Sequence, residues 1–168
     1  QKVAFFRALE FFNNADFSSA QPLLKKAITL GVDPVITARA TYWNAEIEFL
    51  NLNFEDALQY FLIFKNSSKA SQSLEHNHLN YNLGYTYFKL KQYSKAITAF
   101  QSYVSNSEES KSYINDAFLR MADAYYVSKL YKEAIEIYAK VIENKAPSSD
   151  YATFQKAVSY GFLGQSEA

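Results

Sequence analysis

One arrangement of residues constrains this chain more than any other. Alanine stands at 20, 57, 96 and 134, and four residues after each comes a large apolar side chain: Leu24, Phe61, Phe100 and Tyr138. Three further on lie Ala27, Phe64, Tyr103 and Val141. Spacing of i, i+4, i+7 marks one face of an α-helix. Twelve residues before each alanine is another small residue, Ala8, Ala45, Gly84 or Ala122, leading by three to Phe11, Glu48, Tyr87 or Tyr125. A small residue with a bulkier one a turn later marks an earlier helix that a neighbour can approach closely. An aromatic opens the second helix three residues before each repeating alanine, at Phe17, Phe54, Tyr93 and Tyr131.

The separation of 12 within each pair never varies, whereas the step to the next pair is 25, 27, 26 and then 23. The helix pair is therefore rigidly specified and the connection between pairs is not. With only 4 Gly and 3 Pro, the chain cannot punctuate the many short strands of a sandwich or barrel. The pattern predicts helices at 2–14 with 18–30, 35–51 with 54–66, 74–90 with 93–105, 111–128 with 131–144, and a last one near 150–163. Gly31 suits a helix C-terminus, and Asp33-Pro34 the next start. Pro22 falls inside the second helix, where a ring is tolerated only in the first turn, so that helix is expected to start late or bend.

This pattern resembles the tetratricopeptide repeat, whose unit reads W-x2-L-G-x2-Y, then A-x3-F, then a late Pro. The best match runs Tyr81-Asn82-Leu83-Gly84-Tyr85-Thr86-Tyr87-Phe88, continuing to Tyr93-Ser94-Lys95-Ala96-Ile97 and Phe100. The family's Trp position holds Ala4, Thr41, Asn80 and Phe118, and Glu48 replaces an expected Tyr. The resemblance implies an all-α, right-handed superhelical solenoid of antiparallel helix hairpins. They form one array: hairpins at about 1–34, 35–73, 74–110 and 111–147, with a partial fifth at 148–168. Periods of 37, 39 and 38 exceed the family's, and the extra residues are expected in Ser-, Asn- and Lys-rich stretches such as 66–73 and 106–112. This longer period looks like bacterial envelope-associated members, which leans the location toward the periplasm or outer membrane. Starting at Gln1 without a signal-like segment, the chain reads as an excerpt of a longer precursor.

Composition removes several functions. Lys plus Arg and Asp plus Glu both total 17, so the basic excess that a nucleic-acid binder needs is missing. No apolar run approaches the ~18 residues that would insert in a membrane. Absence of Cys excludes disulfides and thiolate metal sites and leaves the compartment open. Gly161 and Gly164 precede no phosphate-binding Lys-Ser/Thr, and His76 and His78, at i and i+2, point to different sides of a helix. A metal would need a partner such as Glu75; solvated residues at a helix start are the plainer reading. The acidic pairs Glu55-Asp56 and Glu108-Glu109 suit helix N-termini, where they complement the dipole. No enzyme, cofactor or metal is implied.

What remains is a surface. In such arrays the first helices of successive hairpins line a concave face, and the resemblance assigns to it the second, fifth, sixth, ninth, twelfth and thirteenth positions of each unit. The candidate peptide-binding residues are Arg39, Tyr42, Glu46, His78, Tyr81, Asn82, Tyr85, Phe88, Lys89, Arg120, Asp123 and Tyr126. Tyr42, Tyr81, Tyr85, Phe88 and Tyr126 are expected anchors, and Arg39 and Asp123 are expected to set register. The chain carries 14 Phe, 14 Tyr and 1 Trp, of which Tyr60 and Tyr113 alone fall outside both the core positions and this face. A clamp for C-terminal carboxylates would need Lys and Asn where Phe5 and Leu9 stand. The expected partner is a protein or peptide with apolar side chains. The alternative is a structural segment of a longer protein with no ligand of its own.

Overall fold

The structure, a computed structural model, describes residues 1–106 and 110–164. Among these residues every regular element is helical: α1 (Lys2–Asn13), α2 (Phe17–Leu30), α3 (Pro34–Leu50), α4 (Phe54–Asn66), α5 (Leu79–Lys89), α6 (Tyr93–Asn106), α7 (Lys111–Val127), α8 (Tyr131–Glu143) and α9 (Ser149–Phe162). The helices cluster in two compact units, Gln1–Leu79 and Asn80–Ala168. In the first, α1 packs on α2, α2 on α3 and α3 on α4; in the second, α6 packs on α7, α7 on α8 and α8 on α9.

The repeating small residues are what let these helices meet. Ala8, Ala45, Ala122, Ala20, Ala57, Ala96 and Ala134 are all fully buried. Between them lie Phe5 and Leu24, Phe61 and Phe64, Phe100 and Tyr103, and Tyr138 and Val141, also buried. Each such side chain contributes about 1.5–3 kcal/mol by leaving water. At Gly84 even a methyl group has no room, because the Phe100 ring lies where its Cβ would be.

The invariant spacing has a backbone cause. All four hairpins turn through the same three-residue link, with its middle residue left-handed: Ala15, Leu52, Lys91 and Lys129, at φ 57°, 65°, 57° and 62°. The amides of Asp16, Asn53, Gln92 and Leu130 each donate at 2.9 Å to the carbonyls of Phe11, Glu48, Tyr87 and Tyr125. This is the Schellman closure, which satisfies carbonyls orphaned at a helix end. Identical closures fix identical spacings, and the acceptors are the residues three after each small one.

Between hairpins the devices differ. Gly31 ends α2 in the left-handed conformation, and the Asp33 side chain accepts from the amides of Val35 and Ile36 ahead of Pro34. Glu55 and Asp56 lie in the first turn of α4, while Glu108-Glu109 falls outside the described residues. The helix α2 starts at Phe17, capped by Asp16, so Pro22 sits within it and does not delay it. The predicted helix at 74–90 needs correction: Ala70–Gln72 and Leu74–His78 are 3-10 segments, and α-helix begins only at Leu79. An α-helix at 74–78 would have no apolar stripe to bury, since Leu74 faces solvent and Glu75 alone turns inward.

The Glu at the second repeat's expected Tyr position is also accounted for. Buried Glu48 accepts from Gln21 on α2 at 2.7 Å and from Asn53 at 2.9 Å, so its charge is hydrogen-bonded on both oxygens.

Candidate functional site

In the first unit, α3 projects Arg39 and Trp43 one turn apart. Both converge on Glu75 of the second 3-10 segment. Arg39 Nε donates to Glu75 Oε1 and Oε2 at 2.9 and 3.1 Å, and Trp43 Nε1 donates to Oε1 at 2.9 Å. The guanidinium also lies over the Phe5 ring, 5.0 Å from its centroid, and Trp43 packs edge-on to Phe12. Glu75 is buried, so this is a desolvated carboxylate held by two donors, one guanidinium and one indole N–H. Tyr42 packs edge-on to Trp43 but lies deeper. It is only 4% exposed and packs against Phe61 and Phe64. The expected anchor at Tyr42 is therefore a core ring. Glu46 and His78 are half-buried.

In the second unit the helices α5, α7, α8 and α9 share a polar network. Tyr81 donates to Asp116 Oδ2 at 2.7 Å, and Tyr85 donates to the same oxygen. Arg120, one turn along α7, donates from Nε to Tyr85 Oη at 3.2 Å and from Nη1 to Asp123 Oδ2 at 2.9 Å. Asp123 Oδ1 accepts from Tyr138 at 2.7 Å and from Tyr151 at 3.1 Å. Asp123 is 7% exposed, and three donors from α7, α8 and α9 meet its charge.

These contacts raise the phenol pKa values. Burial is the largest cause for Tyr81, followed by its hydrogen bond to Asp116, and the same two act on Tyr85. Tyr138 is pushed well above the usual phenol range by burial and then by the Asp123 charge. Ionising any of these rings would strip a donor from a carboxylate and set two negative charges together.

Around this network lie apolar groups in various states of cover. Phe88 packs edge-on to Tyr93, and Tyr126 on Tyr131 and Phe162. Asn82 is half-buried and Lys89 is exposed at the end of α5. On α9, Tyr151, Phe154 and Phe162 are 43%, 66% and 61% exposed. Sequence reasoning passed over two residues that the geometry brings in: Glu75, weighed there only as a metal partner, and Tyr113, whose ring lies 5.5 Å from that of Tyr81. Tyr113 was visible as one of two aromatics explained by neither core nor face.

Comparison with known proteins agrees with the helix pairing. One tetratricopeptide repeat model matches residues 79–110 and 116–149, and a second matches 7–71. No curated protein matches in sequence. Among solved structures, MamA protein is 20% identical with a TM-score of 0.79, covering 98% of this chain and 83% of that one. BtubC from P. vanneervenii is 13% identical with a TM-score of 0.72, over 95% and 71% of the two chains. A putative kinesin light chain repeat protein from P. anserina is 15% identical, with a TM-score of 0.70 over 97% and 86%. At such identities the structures speak for the fold alone. The repeat models, spread over most of the sequence, go further: this chain belongs to the tetratricopeptide repeat family, and its fold is the all-α solenoid of helix hairpins.

Proposed function

We propose that this chain is a non-catalytic scaffold that holds a protein or peptide segment on an aromatic first-helix face. A tetratricopeptide fold suggests a protein-interaction scaffold. The observation that carries the finer reading is the exposed aromatic surface of α9, with Tyr151, Phe154 and Phe162 turned to solvent. Large apolar rings are costly to leave in water, and Tyr and Phe concentrate where partners bind. Half-buried Tyr81, Tyr85, Phe88 and Tyr126, with Asn82, Lys89, Arg120 and Asp123, continue the proposed face on α5 and α7. Arg39, Glu46 and His78 are its counterparts in the first unit. No helix among the described residues is long and apolar enough to cross a membrane.

The test is selection of binding peptides from a displayed random library, followed by affinity measurement on a variant carrying Phe154→Ala and Phe162→Ala. Both side chains are more than half exposed, but Phe162 also stacks on Tyr131, so unchanged helix content by circular dichroism is required before affinity is compared. Loss of more than ~1 kcal/mol of binding supports the face. Equal affinity removes it.

A second reading has one observation in its favour. Arg39, Tyr81, Tyr85, Arg120 and Asp123 direct their polar groups to partners within the chain. A segment that only holds neighbouring repeats in register would do the same, and such a segment enriches no peptide in the selection.

A further inference from the structure

We propose that Tyr81, Tyr85, Tyr113 and Asp116 form a subsite for a cationic side chain, lysine or arginine, on the partner segment; this rests on reading the first-helix face as protein-binding. The rings of Tyr81 and Tyr113 stand at 86° with centroids 5.5 Å apart, and Tyr85 adjoins Tyr81 at 5.0 Å, tilted by 59°. In this edge-to-face pair one ring's edge covers part of the other's face, and the exposed ring surface at the corner belongs to Tyr113. An ammonium or guanidinium within about 6 Å of a ring centroid is drawn to the face. The corner is open: Tyr113 is 46% exposed, and the Asp116 side chain 31%.

Charge decides which occupant fits. Among the described residues the ion pairs of Asp116 and Asp123 share one guanidinium, that of Arg120, so the two carboxylates together carry more negative charge than that pairing neutralises. Arg120 leans away from Asp116, donating to Asp123 at 2.9 Å while its Nε stands 3.7 Å from Asp116 Oδ1. Asp116 Oδ2 takes both phenol protons, and a carboxylate offers about four lone-pair sites, so capacity remains for a further donor. An anion would meet a carboxylate at the corner. A purely apolar group would strip water from that carboxylate without replacing its hydrogen bonds. A cation satisfies rings and carboxylate together.

The probe is n-butylammonium chloride, titrated into the labelled chain and followed by the backbone amide resonances of residues 81, 85, 113 and 116, with n-butanol as the neutral control. Saturable shifts at these residues with the ammonium alone are expected. Affinity should weaken at least ~5-fold in Asp116→Asn and in Tyr113→Leu, the second being exposed and sparing the fold. Shifts that never saturate, that butanol reproduces, or that both variants retain would overturn the subsite. The selected peptides separate this claim from the face itself. Peptides that bind as well with lysine and arginine changed to norleucine keep the face and remove the subsite. Ammonium binding without any enriched peptide keeps a cation site but removes the face, and with it the assignment of the occupant to a partner's side chain.

Discussion

A Cβ added to Gly84 would stand 2.6 Å from two carbons of the Phe100 ring. Glycine at this point of α5 is set by close approach of α6, since an L side chain could adopt the helical backbone but not the space. Phe100 is fully buried and packs against Tyr81 and Tyr85, so the ring has nowhere to retreat. Gly84→Ala should therefore destabilise the fold by about 1–3 kcal/mol, although alanine is the better helix former. Chemical denaturation of the variant checks this; a gain in stability would show that the α5–α6 contact yields.

The hairpin turns predict the opposite sign for glycine. Lys129 and Leu52 hold left-handed backbone without the freedom of glycine, and both are exposed. Lys129→Gly and Leu52→Gly should each stabilise by up to ~1 kcal/mol, because strain relieved in the folded state outweighs the entropy gained by the unfolded one. Thermal melts of the two single variants decide it.

Asn44 is fully buried on α3, and neither of its amide atoms finds a hydrogen-bond partner. Counting from the small residues, it stands where the third and fourth repeats carry Leu83 and Met121, both buried. Asn44→Leu should raise stability by about 1–3 kcal/mol by removing the unsatisfied amide while keeping the number and branching of the side-chain heavy atoms. A lower melting temperature for the variant would mean that the amide is satisfied in solution.

Alkali should act through the phenols. The folded pKa values of Tyr81, Tyr85 and Tyr138 lie above the unfolded value of 10.0. Their contribution is complete below that value and is lost progressively as pH rises from it through the higher folded values, because the unfolded state releases protons first. Stability should stay level toward pH 10 and fall beyond it, with tyrosinate absorbance from these rings appearing together with unfolding. Tyr138→Phe should flatten the decline. Ionisation of all the tyrosines ahead of any loss of helix would contradict this.

Much of the fold was legible because packing repeats. Ala20, Ala57, Ala96 and Ala134 recur at a fixed distance from their partners, and burial at every one follows from the same interhelical contact. The 3-10 stretch at Leu74–His78 was not legible, since its shape follows from a distant demand, the pull of Arg39 and Trp43 on Glu75. The left-handed turn residues were hidden as well, because Ala15, Leu52, Lys91 and Lys129 are not the residue types that advertise such backbone. Among the candidate site residues, the repeat position named a face but could not separate Tyr42, sealed by Phe61 and Phe64, from Tyr81, whose hydroxyl reaches Asp116. That difference depends on neighbours in three dimensions and not on position in the unit.

Asp123 joins three helices at one carboxylate, and the energetic consequence is cooperativity. In a repeat protein each unit contacts only its neighbours, so helices can open one hairpin at a time. Here α9 cannot detach without withdrawing Tyr151 from an anion that also holds Tyr138 and Arg120. Local opening at α9 is thereby coupled to α7 and α8, and amide exchange along the three helices should converge on one shared opening free energy in place of a separate one for each helix.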